Sequence, residues 1–131
     1  FPGGTVSTSA KPFSRPMDPS WRNFTAKMIA KSGATVVPVY FEGQNSRLFQ
    51  IASHLHASLR LALLIKEFKS RTDEPVRVVI GAPIPAETID ALKSDPTAMM
   101  ETLRRATYAL SPRPLRSYAN GYEFEAKYKS R

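Results

Sequence analysis

Apolar and polar positions follow two rhythms along this chain, one of three to four residues and one continuous. Trp21, Phe24 and Met28 recur at spacings of three and four with Ile29 beside them, which predicts a helix with one apolar face. Asp18 reads as its N-cap and Pro19 as its first position. Gly33, after Ser32, reads as a left-handed stop. The unbroken apolar run from Val36 to Phe41 predicts a strand buried on both faces, as in a parallel sheet. Pro38 removes a ladder donor and is taken as a local break. From Ser46 to Ser70 the helical rhythm returns. Leu48, Ile51, Ala52, Leu55, Leu59, Ala62 and Leu63 form one stripe, and Arg47, Gln50, His54 and Ser58 the opposite one. Leu61 to Ile65 is apolar all round, Lys66, Lys69 and Arg71 restore charge, and the span admits a bend.

Thr72 to Pro75 reads as a turn, Val76 to Ile80 as a second strand stopped by Gly81-Ala82-Pro83, and Ala86 to Lys93 as a short helix. Asp95-Pro96-Thr97 repeats the earlier helix start and opens a helix to about Leu110, anchored by Met99, Met100, Leu103 and Tyr108. Residues 1–17 are rich in Gly, Ser, Thr and Pro and read as a loop. The tail to Arg131 has no strong period and no repeat is visible. Strands alternating with helices predict an α/β domain, a mainly parallel sheet flanked by helices.

Composition narrows the chemistry. The absence of Cys excludes a disulfide framework, a thiolate metal site and a Cys nucleophile. Two histidines, His54 and His56, are too few for a His-rich metal site. The net charge of +8 is uneven: residues 1–70 hold nine Lys/Arg against three Asp/Glu, and so carry +6 of it. That favours an anionic partner, whether lipid head groups, nucleic acid or an acidic carrier protein, although a basic surface also serves solubility. Aromatic residues do not interleave with Lys/Arg and no nucleic-acid module signature occurs, so no nucleic-acid partner is expected.

Three stretches carry candidate chemistry. In Pro2-Gly3-Gly4-Thr5, followed by Ser7, Thr8 and Ser9, glycines let backbone amides approach a ligand, and successive amides can form an anion nest. The same residues also suit an ordinary glycine turn, and they are no Walker A loop. His54 and His56, two apart on a helix, point their rings about 200° apart, which suits surface positions better than joint ligation. The apolar Leu55–Ile65 segment falls short of the roughly 20 residues a bilayer span requires. It fits either a core helix or an interfacial one, with Arg47, Arg60, Lys66 and Lys69 near lipid phosphates.

In order, "FPGGTVS", "GATVVPVYFEG" and "VRVVIGAPIP" resemble the third motif (FPEGTRS), the proline-bearing fourth motif and the following strand and turn of the glycerolipid, lysophosphatidic-acid-type acyltransferases. "YFEGQNSRLFQ" is similar to a bacterial hemolysin-like or lyso-ornithine-lipid acyltransferase subgroup. The resemblance covers roughly residues 1–90 and accounts for Pro38. It implies that residues 1–110 are the C-terminal part of an acyltransferase domain, incomplete at its N-terminus, and 111–131 a tail for which poor order is an expectation. Phe1 is no natural translation start, in line with a longer protein.

The implied activity is O-acylation, a fatty acyl group passing from acyl carrier protein or coenzyme A thioester to a lysolipid hydroxyl in phospholipid or ornithine-lipid biosynthesis. The donor is a substrate, and neither cofactor nor metal is implied. The implied place is the cytoplasmic face of the bacterial inner membrane, held peripherally to the membrane surface. The family's catalytic HxxxxD lies upstream of its third motif, so no catalytic residue is expected in this chain, which alone should be inert. Gly3, Gly4, Thr5, Val6 and Ser7 are the implied head-group site. Gly3 stands where the family has Glu, and Val6 where it has Arg. Losing that bidentate phosphate contact points to a zwitterionic lyso-lipid acceptor. Arg47 is placed near the acceptor by position and charge, with Pro38 and Val39 as strand structure beside the site. The alternative is a non-catalytic membrane- or carrier-protein-binding domain.

Overall fold

A computed structural model describes residues 2–11 and 13–129. Five helices and two short strands follow one another: α1 (Asn23–Ser32), β1 (Val39–Phe41), α2 (Arg47–Leu55), α3 (Ala57–Ser70), β2 (Val78–Ile80), α4 (Ala86–Leu92) and α5 (Pro96–Ala109), with a final 3-10 turn at Ala126–Tyr128.

The expected α/β fold with a mainly parallel sheet is not what forms. Among the described residues the protein is mostly helical, and its one sheet is an antiparallel pair with Val39 opposite Ile80, Tyr40 opposite Val79 and Phe41 opposite Val78. The connection explains the direction. A parallel strand needs a crossover that ends back at the first strand's start. Here α2 and α3 form a hairpin that returns the chain to the end of β1, where the Arg71 guanidinium donates to the Gln44 carbonyl at 2.6 Å and Ser46 N donates to Glu67. A chain leaving from that end must run antiparallel. The pair is prolonged past Pro38, whose carbonyl accepts from Gly81 N at 2.9 Å. Tyr40 and Val79 face the core, and Phe41, Val78 and Ile80 lie exposed on the other face.

Helix α5 is the centre of the packing. Its Met99, Met100 and Leu103 meet Ala26 of α1 and Ile89 of α4, with Trp21, Ile29 and Val36 against them. Asp95 caps α5 by accepting from Ala98 N at 2.9 Å, and Pro96 opens it. Farther along, Tyr108 meets Tyr40 edge-on at 6.0 Å between ring centroids. Arg104, 1% exposed, reaches from this core to Glu101 and to the Tyr118 carbonyl. Burial works to raise the Glu101 carboxyl, and hydrogen bonds from Arg104 and Arg105 outweigh it, so the group titrates below its ordinary range.

The helices differ from expectation at particular points. Helix α1 begins at Asn23, because the Asp18 carboxylate is engaged by Ser7 and Trp21 instead of capping. Gly33 does close it, at φ 61°. Phe24 and Met28 of the expected inward face are exposed, since Ala26 supplies the close approach to α5. The break or bend that the Ser46–Ser70 span admits falls at His56, which is extended and caps α3 by accepting from Ser58 N at 3.1 Å. The apolar stripe of α2 faces out at Leu48, Ile51 and Leu55, and its Ala52 is buried together with Phe49, Gln50 and Ser53.

The tail from 111 to 129 is largely irregular and ties back to the opening loop. Thr8 and Met17 form an antiparallel bridge, and Gly121 N and Tyr122 N donate to Asp18 O and Thr8 O at 2.8 and 3.1 Å. Arg22 and Glu123 clamp the same crossing with an ion pair at 2.8 Å.

Candidate functional site

The opening loop turns twice before it reaches the bridge at Thr8, with Gly4 at φ 70°, a conformation that costs glycine little. Its oxygens are held from below. The Arg60 guanidinium donates to Thr8 Oγ1 at 2.7 Å, to Val6 O at 3.1 Å and to Thr5 Oγ1 at 3.2 Å. Arg60 is itself sandwiched near the Phe49 and Phe124 rings, at 5.2 and 4.1 Å from their centroids. Burial lowers its pKa from the ordinary value, but arginine still keeps its charge. The loop's nitrogens are a different matter. Gly3, Gly4, Thr5, Val6 and Ser7 find no acceptor for their backbone N–H groups among the described residues. Consecutive amides without acceptors among the described residues, with the Val6 carbonyl and the Thr5 hydroxyl already engaged by Arg60, suit an anion nest. Phe1, the first letter of the resembling motif, lies outside the described residues.

These five residues line one side of an open cleft of about 1340 Å³. Trp21 and Ile29 line it near α1, Val36 to Phe41 along β1, and Met100, Leu103 and Tyr108 from α5. Arg15, Arg71, Arg77 and Arg113 also line it, against Asp18 and Glu42, which biases it toward anions. Arg15 is fixed there by donating to Tyr40 Oη at 2.9 Å and Ser111 Oγ at 3.1 Å. The expected neighbours Pro38 and Val39 do line the cleft.

A polar network closes the inner wall. Ser7 Oγ donates to one Asp18 carboxylate oxygen and Trp21 Nε1 to the other, at 2.9 Å in the second case. Asp18 N donates to Tyr108 Oη at 2.9 Å. Burial, and then the Asp18 charge, push the Tyr108 hydroxyl up to about 12. With both oxygens occupied, Asp18 positions the loop and is not a free base. The arrangement can bind and orient a negatively charged group.

The structure does not bring every expected residue to this cleft. Arg47, at the start of α2, lines a second cavity of about 510 Å³ with Ser9, Phe13, Gln50 and His54. Neither histidine lines the large cleft: His54 Nε2 is 2.8 Å from Ser9 O, with its ring edge-on to Tyr122, and His56 caps α3. Gln50 Oε1 accepts from Ser9 N and Oγ, and its buried Nε2 has no partner. Sequence reasoning missed the loop-binding role of Arg60, the position of Arg22 beside Gly4, and the four arginines of the cleft. A Cβ placed on Gly4 would lie 3.6 Å from Arg22 Nε. Single arginines far apart in sequence carry no spacing that would have revealed them. Comparison with protein-family models, with curated proteins and with solved structures found no match.

Proposed function

We propose that the cleft binds a lysolipid acceptor for O-acylation, the head group on the amides of Gly3 to Ser7 and the acyl chain along the apolar wall of Trp21, Ile29 and Leu103. The observation that carries this reading is the run of backbone amides from Gly3 to Ser7 that meet no acceptor among the described residues, beside a large, partly apolar, cationic cleft. The likeness of the loop and of both strand segments to acyltransferase motifs supports it. Arg60 and Arg22 supply cationic charge from below and beside the loop, where Val6 has replaced the family's arginine.

In the reaction proposed, the lysolipid hydroxyl oxygen attacks the thioester carbonyl of acyl carrier protein or coenzyme A. The C–S bond breaks, an ester forms, and the hydroxyl proton leaves with the thiol by way of the HxxxxD imidazole. Neither histidine here fits that motif, since Leu59 and Leu61 stand five positions on. This chain is therefore assigned acceptor binding, and the imidazole belongs to a longer protein. Among the described residues no helix is long and apolar enough to cross a membrane. Peripheral attachment at the cytoplasmic face of a bacterial inner membrane completes the proposal.

Trp21 is the one tryptophan and lines the cleft, so its fluorescence reads occupancy. Monomeric lysophosphatidic acid or lyso-ornithine lipid is expected to change it saturably. No response to either contradicts the reading, and a response to lyso-ornithine lipid alone supports a zwitterionic acceptor. A second reading, a non-catalytic membrane- or carrier-binding domain, is favoured by a cleft lining that includes neither histidine among the described residues. A longer chain with an intact HxxxxD that binds donor and acceptor yet forms no ester decides for that second reading.

A further inference from the structure

Helices α2 and α3 turn large apolar side chains outward. On α2, Leu48, Ile51 and Leu55 share the side opposite the buried Phe49, Gln50 and Ser53, and Leu55 is 72% exposed. Helix α3 buries no residue at all, and the half-buried Arg60, Leu63, Leu64 and Glu67 mark its inward side. Leu61, Ile65 and Phe68 form an adjoining stripe, with Ile65 67% and Phe68 81% exposed. Single exposed apolar residues are ordinary, but stripes on two packed helices mark an interaction surface.

Charge decides the occupant. Residues 47–70 contain Arg47, Arg60, Lys66 and Lys69 against one acid, Glu67. Glu67 is turned inward to Ser46 and stands 3.8 Å from Arg71. Lys66 and Lys69 are exposed, and their ammonium groups have no hydrogen-bond or ion-pair partner among the described residues. A second copy would set these cations, on a chain of net charge +8, against themselves. An acidic lipid surface complements them, and it accepts apolar side chains at the boundary between head groups and acyl chains. We propose that the outer face of α2 and α3 lies on an anionic bilayer, with Leu55, Ile65 and Phe68 at that boundary and Lys66 and Lys69 among the phosphates. The inference deepens the lysolipid reading, on which it rests for a lipid partner, and Arg60 links the two by joining α3 to the head-group loop.

The test is co-sedimentation of the full chain with vesicles of phosphatidylglycerol in phosphatidylcholine, against phosphatidylcholine alone. Binding is expected to need phosphatidylglycerol and to weaken as salt is added. I65D/F68D should abolish it. K66A/K69A should weaken it about 25-fold, each cation near an anionic surface contributing roughly fivefold. All four residues are exposed, and unchanged circular dichroism certifies the variants as folded. Equal sedimentation with both vesicle types, or binding that survives I65D/F68D, overturns the proposal. So does a dimer in sedimentation equilibrium that I65D/F68D splits, since a second copy would then own the face. Trp21 fluorescence with monomeric lysolipid separates the two ideas. A Trp21 response without vesicle binding sinks the docking face alone, and vesicle binding without a Trp21 response sinks the acceptor reading alone.

Discussion

Arg60 donates to Thr8 Oγ1 at 2.7 Å across 52 residues of chain, and through this contact helix α3 holds the opening loop in shape. The same guanidinium takes up Val6 O and Thr5 Oγ1, so it engages three oxygens of the loop and none of its amides.

Arg60→Met should therefore cost about 2 kcal/mol of stability, the scale of hydrogen bonds to a charged group at a half-buried site. Urea denaturation measures this. Arg60→Lys should recover only part of it, because an ammonium lacks the planar fork that serves three acceptors. Full recovery by Lys would show that charge alone, and not geometry, orders the loop.

Gly121 permits a close approach of backbone from two sides. A Cβ there would stand 1.8 Å from Met17 O and 2.5 Å from Thr8 O. Backbone on both sides cannot give way, so Gly121→Ala should displace the tail from the bridge and destabilise by about 1–3 kcal/mol. Limited proteolysis should cut after Arg116 or Lys127 faster in the variant. An unchanged digestion pattern would contradict the crossing described.

The Arg22–Glu123 pair gives the same crossing an acid dependence. Burial works to raise the Glu123 carboxyl, but the Arg22 hydrogen bond and charge, together with the backbone N–H groups of Glu125 and Phe124, outweigh it and the pKa falls below its ordinary value. A depressed carboxylate contributes stability at neutral pH that is lost as pH falls through its folded pKa. Glu123→Gln should flatten that loss and cost about 1–3 kcal/mol at neutral pH. Stability against pH for both proteins checks it.

Tyr108 acts at the other extreme. Its hydroxyl is raised from an ordinary 10 to about 12, chiefly by burial. The unfolded chain then loses its proton first, so stability falls as pH rises from about 10 to about 12, by roughly 2 kcal/mol. Tyr108→Phe should remove this alkaline loss while leaving Asp18 N unpaired. Equal alkaline profiles would contradict it.

How much of this was legible follows from which forces act locally. Helix α5 could be read almost to the residue, because the Asp95 cap and the anchors Met99, Met100 and Leu103 are spaced within a few turns. The Gly33 stop could be read for the same reason. The strands at Val39–Phe41 and Val78–Ile80 were visible as apolar runs, but their direction was not. It depends on the helical hairpin between them, whose break at His56 has no spacing signal. The inward side of α2 was not legible, because an apolar stripe shows where a helix can be covered, not by what. Here Gln50 is drawn in by Ser9 and Phe49 is buried beside Arg60, leaving Leu48, Ile51 and Leu55 outside. In the site, the glycine loop stood out by composition, whereas Arg15, Arg60 and Arg113 reach the loop or cleft from distant positions.

The most direct measurement follows the backbone amides themselves. Nitrogen–proton correlation spectra of the chain, titrated with a lysolipid below its micelle concentration, report each loop residue separately. The account predicts saturable shifts at Gly3, Gly4, Thr5, Val6 and Ser7 together with the Trp21 indole, all fitting one dissociation constant. Shifts confined to α2 and α3, with the five loop amides unmoved at saturation, would contradict it.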